Sequence, residues 1–89
     1  MEILKNASAG TMESSDAYVE IMPGNGKNEI QIESVVKEQF GEEIEKAVSD
    51  VLMENNVENA LVRVVDRGAL ECVIRARVET AILRGKGNE

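Results

Sequence analysis

The feature that most constrains the fold of this 89-residue chain is a change in the spacing of its apolar residues at Ser34. Before Ser34, apolar and polar residues alternate in short runs, which is typical of half-buried β-strands. After Ser34, apolar residues recur every three or four positions, which is typical of an amphipathic helix. The chain therefore begins as a sheet, which a helix must then cover.

Three short runs before Ser34 predict strands. We expect a first strand within residues 3–10, a second over 17–22 and a third over 29–33. The intervening Pro-Gly-Asn-Gly stretch at 23–26 is a strong turn signal, because Asn-Gly favours a primed hairpin turn. The pattern therefore predicts a three-stranded meander with loops at 10–16 and 23–28.

Two amphipathic helices and a fourth strand follow. Ser34 can serve as the N-cap of the first helix, and the β-branched run at 60–65 predicts the strand. The last helix is expected to begin at Asp66 or Gly68 and to end at Gly85. The expected apolar faces are Val36, Phe40, Ile44, Ala47, Val48, Val51 and Leu52 in the first helix, and Leu70, Val73, Ile74, Val78, Ala81 and Ile82 in the second.

The resulting element order is β-β-β-α-β-α. Two amphipathic helices need a shared apolar surface, and one face of a four-stranded sheet supplies it. We therefore predict an α+β fold with both helices packed on one face of the sheet. A chain of this length holds one thin core, so residues 1–85 are expected to form a single small domain and 86–89 a disordered tail.

Composition excludes several function classes. The net charge of −7 disfavours nucleic acid as a partner and favours basic protein surfaces. The absence of histidine removes the commonest general base and zinc ligand, so we expect neither a metal site nor a catalytic set. No apolar run approaches the ~20 residues that cross a bilayer. The single cysteine, Cys72, suggests a reducing compartment. We therefore expect a cytoplasmic protein with no membrane partner.

The candidate functional segment is Gly-Thr-Met-Glu-Ser-Ser-Asp at residues 10–16, a hydroxyl-rich break between two strands. Catalysis by Ser14 is disfavoured, because a nucleophilic serine needs an adjacent base. Covalent modification of Ser14 needs only exposure on a mobile loop and a transferase that brings the chemistry. Glu13 and Asp16 flank the serine, either to form the turn or to be recognised by the modifying enzyme.

Three strings of this sequence resemble the acyl carrier subunit (gamma chain) of citrate lyase. They are GTMESSD at 10–16, Gln-Phe-Gly at 39–41 and DRGALECVIRAR at 66–77. The resemblance implies that Ser14 carries a covalently attached 2'-(5''-phosphoribosyl)-3'-dephospho-CoA group, joined through a phosphodiester. Ser15 is the alternative attachment site.

The same resemblance implies a non-catalytic carrier subunit rather than an enzyme. The arm of such a carrier holds the acetyl or citryl thioester while citrate is cleaved to acetate and oxaloacetate. Its partners would be the alpha (transferase) subunit, the beta (lyase) subunit and the prosthetic-group transferase. Three alternatives remain: a carrier of citramalate lyase, an unmodified acidic adaptor domain, and a phosphopantetheine carrier that is modified at Ser34.

Four further features of the chain have structural interpretations. Cys72 is expected to be a small buried apolar residue. Arg75 and Arg77 lie on or beside the apolar face of the last helix, so they are expected in internal ion pairs, or else in contact with phosphates of the arm or an acidic partner surface. The acidic cluster Glu42, Glu43 and Glu45 predicts a solvated helix face.

Overall fold

The computed structural model describes residues 1–35 and 37–87. Its elements are β1 (Ala7–Gly10), β2 (Ala17–Pro23), β3 (Glu29–Ser34), α1 (Lys37–Glu54), β4 (Ala60–Asp66) and α2 (Glu71–Gly85). The predicted α+β class and the order β-β-β-α-β-α are therefore confirmed. The predicted apolar role of Val36 and the last two residues of the predicted tail, 88 and 89, lie outside the described residues.

The sheet has the strand order β1-β2-β4-β3, so the prediction of a three-stranded meander is wrong. β1 and β2 pair antiparallel as expected, but β4 lies between β2 and β3. The cause is α1, which carries the chain back across the sheet so that β4 runs parallel to β3. Parallel neighbours need such a crossover connection, and the unit β3–α1–β4 supplies it.

The Asn-Gly segment after β2 is a connection to the far edge of the sheet instead of a hairpin turn. The Asn59 side chain accepts a hydrogen bond from the Gly26 backbone N–H at 2.7 Å. In return, the Asn28 side chain accepts from the Ala60 N–H at 2.9 Å and donates to the Val57 carbonyl at 2.8 Å. The side chains of Asn28 and Asn59 thus bond the backbone groups of this connection and of the start of β4. β4 lies between β2 and β3, the two strands that the turn signal predicted as a hairpin.

The core lies between one face of the sheet and the two helices. Alternate residues of β2 and β4 point into it, and Val19 lies opposite Val64 while Ile21 lies opposite Val62. All four side chains are fully buried. α2 packs on β1 and β2, and α1 packs on β3 and on α2. The expected arrangement of both helices on one face follows from this alternation.

The helices bury most of the residues predicted for their apolar faces. Buried positions are Ile44, Ala47, Val48, Val51 and Leu52 in α1, and Ile74, Val78, Ala81 and Ile82 in α2. Phe40 and Leu70, which were also predicted to be apolar core residues, are 48% and 71% exposed. Phe40 lies in the first turn of α1 and Leu70 immediately before α2, and both line an open groove between the starts of the two helices.

α2 begins at Glu71, later than the predicted start at Asp66 or Gly68. Asp66 is instead the last residue of β4, and its buried carboxylate organises the turn that follows. Oδ1 accepts from the backbone N–H groups of Gly68 and Ala69 at 3.1 and 2.8 Å. Oδ2 accepts from the Ser34 hydroxyl at 2.8 Å. A side chain that bonds its own downstream backbone competes with helix formation, so the helix starts only after this turn.

Ser34 is the last residue of β3, in register with Asp66. A phosphopantetheine carrier modified at a helix-opening serine therefore lacks support at this position.

The short strand predicted within residues 3–10 is β1, and the residues before it have another role. Only Ala7–Gly10 pairs with β2. The backbone N–H groups of Leu4 and Lys5 both donate to the carbonyl of Gly85, at 2.9 and 3.1 Å. This segment therefore satisfies the C-terminal end of α2, where helix carbonyls lack intrahelical partners. Ile3 is buried beside it.

Candidate attachment site

The predicted functional segment forms the short loop between β1 and β2, with both serines at its tip. The Asp16 N–H donates to the Glu13 carbonyl at 3.1 Å, which closes a turn with Ser14 and Ser15 at its two central positions. Ser15 has a positive φ of 68°. Both serines are exposed, so the turn directs its central residues away from the sheet.

Asp16 holds the loop to the body of the protein. Its carboxylate accepts two hydrogen bonds from the Arg77 guanidinium, from Nε to Oδ1 and from Nη2 to Oδ2, both at 3.0 Å. It also accepts from the Thr11 hydroxyl at 2.7 Å and from the Ala17 N–H at 2.7 Å. These donors, led by Arg77 and then Thr11, hold the pKa of the Asp16 carboxyl well below its usual range. The internal ion pair expected for Arg77 is confirmed.

A second set of contacts holds the tip of the loop against the turn after β4. The Ser15 N–H donates to the Arg67 carbonyl at 2.8 Å, and the Arg67 N–H donates to the Asp16 carbonyl at 2.9 Å. The segments 10–16 and 66–77 are far apart in sequence, yet Arg67 and Arg77 bring them into direct contact. Periodicity indicated that Arg77 needed an acidic partner but gave no means of choosing Asp16.

Gly10 is required where β1 turns into the loop. Its φ is +95°, and a Cβ built on it would come within clashing distance of the Ala17 carbonyl oxygen and 3.2 Å from Cδ of Arg77. Only glycine combines this left-handed conformation with so close a backbone approach. Gly10 therefore permits β1, β2 and the Arg77 side chain to converge at the base of the loop.

The Ser14 side chain is exposed and has no hydrogen-bond partner among the described residues. Its hydroxyl can therefore bond to an incoming group without breaking an internal contact. No histidine exists in the chain to activate it, which fits a residue that is modified by another enzyme. The residues of this loop thus fit a covalently attached group at Ser14. Ser15 is also exposed, but its backbone N–H is bonded to the Arg67 carbonyl and its φ is positive.

The remaining sequence candidates have mixed outcomes. Cys72 is exposed in the first turn of α2, so the prediction of a buried residue is wrong. Cys72 lies two residues before the buried Ile74, on the side of α2 that faces away from the core. Arg75 forms its expected ion pair, donating from Nη2 to the two carboxylate oxygens of Glu54 at 2.8 and 3.0 Å. Glu42, Glu43 and Glu45 are all exposed, as expected for a solvated face.

Within the described ranges 1–35 and 37–87, no group of three or more His, Cys, Asp or Glu residues could hold a metal ion. In the same part of the chain, no helix is both long and apolar enough to cross a membrane.

Comparison with known proteins gives the class first. Residues 4–85 match the family model described as "ACP: Malonate decarboxylase delta subunit (MdcD)", which is a class of acyl carrier proteins. A chain of a Pseudomonas malonate decarboxylase hetero-tetramer, solved in complex with malonate, has a TM-score of 0.77 and 25% identity. That match covers 92% of this chain and 84% of the other.

Curated relatives then give the particular family. Citrate lyase acyl carrier protein 2 of Salmonella typhimurium is 51% identical over 85 residues, covering 94% of this chain and 88% of the relative. The citrate lyase acyl carrier protein of Pectobacterium atrosepticum is 49% identical, with the same coverage. That of Oenococcus oeni is 47% identical over 89 residues, covering 100% of this chain and 92% of the relative. The chain belongs to the family of citrate lyase acyl carrier proteins.

The pKa of Asp16 leads to a prediction about stability and pH. Because this pKa is lower in the folded protein than in the unfolded chain, the hydrogen bonds from Arg77, Thr11 and Ala17 to the Asp16 carboxylate (the Asp16 clamp) stabilise the fold above the ordinary aspartate pKa of about 4. That contribution is lost as pH falls further and Asp16 becomes protonated. Asp16→Asn should therefore lower the melting temperature most at pH 7, and the difference from wild type should shrink steadily between about pH 4 and pH 2.

The control for this measurement is Glu13→Gln, which removes one negative charge from the same loop. The side chain of Glu13 has no partner among the described residues. Its substitution should leave the melting temperature nearly unchanged at every pH. If the melting temperatures of Asp16→Asn and wild type differed by the same amount from pH 7 to pH 2, the ionised Asp16 carboxylate would not stabilise the fold as inferred.

Proposed function

We propose that this protein is the acyl carrier subunit of citrate lyase and that Ser14 is its attachment residue. The group carried would be 2'-(5''-phosphoribosyl)-3'-dephospho-CoA, joined to the Ser14 oxygen through a phosphodiester. The observation that carries this proposal is the exposed Ser14 hydroxyl, without a hydrogen-bond partner among the described residues, at the tip of a loop anchored by Asp16 and Arg67. When bound, the group supplies a thiol that holds an acyl group as a thioester.

The residues of this chain position the group and take no part in the chemistry of the acyl group. Asp16, Arg77 and Thr11 fix the base of the loop, and the bonds to Arg67 fix its tip. A serine held this way presents its hydroxyl at a defined place to a modifying enzyme. Because the carrier needs no acid, base or metal, we propose that it is non-catalytic, in keeping with a chain that has no histidine.

The proposed partners are the alpha (transferase) and beta (lyase) subunits of citrate lyase and the prosthetic-group transferase, all in the cytoplasm. The similarity to a chain of a hetero-tetramer supports an assembly of unlike subunits. The net charge of −7 favours docking on basic surfaces of these partners. Tethering in such an assembly raises the local concentration of the thioester to the order of mM at each active site.

Reconstitution tests this function. The protein is loaded by its attachment enzymes and combined with the two purified subunits, and cleavage is then measured separately with citrate, citramalate and malonate. Activity that requires the loaded form and prefers citrate supports the proposal. Preference for citramalate would make it the carrier of citramalate lyase, and equal activity with unloaded protein would leave only an adaptor role.

A further inference from the structure

Arg67 is a cation beside the loop of residues 10–16 (the serine loop), and it makes no ion pair with any residue that the structure describes. The neighbouring arginines of the same segment are both engaged, Arg75 with Glu54 and Arg77 with Asp16. The Arg67 side chain is exposed, and among the described residues it has neither an ion pair nor a side-chain hydrogen bond. Its guanidinium therefore remains available for an external anion.

The position of Arg67 is fixed relative to Ser14 by backbone contacts. Its carbonyl accepts from the Ser15 N–H, and its own N–H donates to the Asp16 carbonyl, at 2.8 and 2.9 Å. Arg67 also lines a groove of about 260 Å³ whose other walls include Met12 and Val35. Of the two carboxylates on its wall, Glu33 pairs with Arg63 and Asp66 accepts from the Ser34 hydroxyl. The groove thus runs between the serine loop, the turn after β4 and the end of β3.

The charges around the loop call for a cation once Ser14 is modified. Glu13 precedes Ser14, the chain has a net charge of −7, and the charge of Arg77 is already neutralised by Asp16. A phosphodiester on Ser14 would add negative charge to this acidic surrounding. Arginine matches phosphate oxygens through its planar fork of donors.

We propose that Arg67 binds a phosphate of the group carried on Ser14 and positions the start of the arm along the groove beside Met12 and Val35. This inference rests on the proposed function, since it requires a phosphate-linked group at Ser14. It replaces the earlier expectation that Arg75 or Arg77 would meet the phosphates, because both of those side chains have internal partners.

The test compares loaded and unloaded protein by NMR. The variants are Arg67→Gln, Arg67→Lys and Lys27→Gln; Lys27 lies in the connection after β2, at the opposite end of that strand, and serves as the charge-matched control. Intact mass first establishes that each protein is loaded. The Nε–Hε signal of Arg67, assigned by its absence in Arg67→Gln, and the ³¹P signals of the group are then recorded.

On loading, the Arg67 Nε–Hε signal should shift, and its exchange with water should slow by about threefold, as expected for a solvent-exposed ion pair. The ³¹P signals should shift in Arg67→Gln, stay near wild type in Lys27→Gln and fall between the two in Arg67→Lys. If the protein is loaded but the Arg67 signal does not change on loading and the ³¹P signals do not change in Arg67→Gln, this inference is wrong and the proposed function stands. If wild type gains no mass with active attachment enzymes, both are overturned.

Discussion

Ser14→Ala is expected to abolish loading of the prosthetic group completely and, with it, all carrier activity in the reconstituted lyase. The reason is chemical, because alanine has no oxygen to form the phosphodiester. Folding should be unaffected, with stability within about 0.5 kcal/mol of wild type. Ser14 is exposed, and its side chain makes no hydrogen bond among the described residues. Intact mass after incubation with the attachment enzymes measures the first effect, and urea unfolding measures the second.

The matched control is Ser15→Gly. Ser15 has a φ of 68°, which glycine adopts without steric cost. Its contacts with Arg67 run through the backbone N–H, which the substitution retains. Ser15→Gly should therefore load like wild type. Loading of Ser14→Ala together with loss of loading in Ser15→Gly would move the attachment site to Ser15.

Gly10→Ala is expected to cause the largest loss of stability among the single substitutions considered. The added Cβ would clash with the Ala17 carbonyl oxygen, and the backbone would keep a φ of +95°. Left-handed strain of about 1–2 kcal/mol and overpacking of about 1–3 kcal/mol together predict a loss of about 3 kcal/mol. This is a large part of the 5–15 kcal/mol that stabilises a typical domain. The urea midpoint at constant m-value measures the loss.

Gly26→Ala separates the two causes of this loss. Gly26 has a φ of +107°, but no atom lies within 4 Å of the position of its added Cβ. Gly26→Ala should lose only the conformational part, about 1–2 kcal/mol. Equal losses for Gly10→Ala and Gly26→Ala would show that the close approach at Ala17 is relieved by a backbone shift. In that case, Gly10 would not hold the base of the loop as inferred.

The fold could be predicted from the sequence wherever local spacing decides the structure. The strand period of 17–22 and the helical period after residue 40 each bury one face, and the structure places them accordingly. Strand order was predicted wrongly because Asn-Gly at 25–26 is a local signal, whereas pairing is decided across the whole sheet. A better signal was available in the succession β3–α1–β4, since a strand–helix–strand unit commonly gives parallel neighbours.

The candidate site was predicted only in part, for a similar reason. The exposed hydroxyls of Ser14 and Ser15 follow from their place in a polar break between strands. The contacts that anchor this loop join residues about 50–60 positions apart, Ser15 with Arg67 and Asp16 with Arg77. No spacing rule predicts such pairs. Cys72 was misplaced because it is two residues from Ile74, so the helical period itself directs it away from the buried face of α2.

The most direct test of the account is intact mass with peptide mapping, on protein that is co-produced with its own attachment enzymes. We predict a single added mass equal to phosphoribosyl-dephospho-CoA, located on the peptide that contains Ser14. A phosphopantetheine mass on Ser34, or no added mass on any serine while the enzymes are shown to be active, would contradict the proposed carrier.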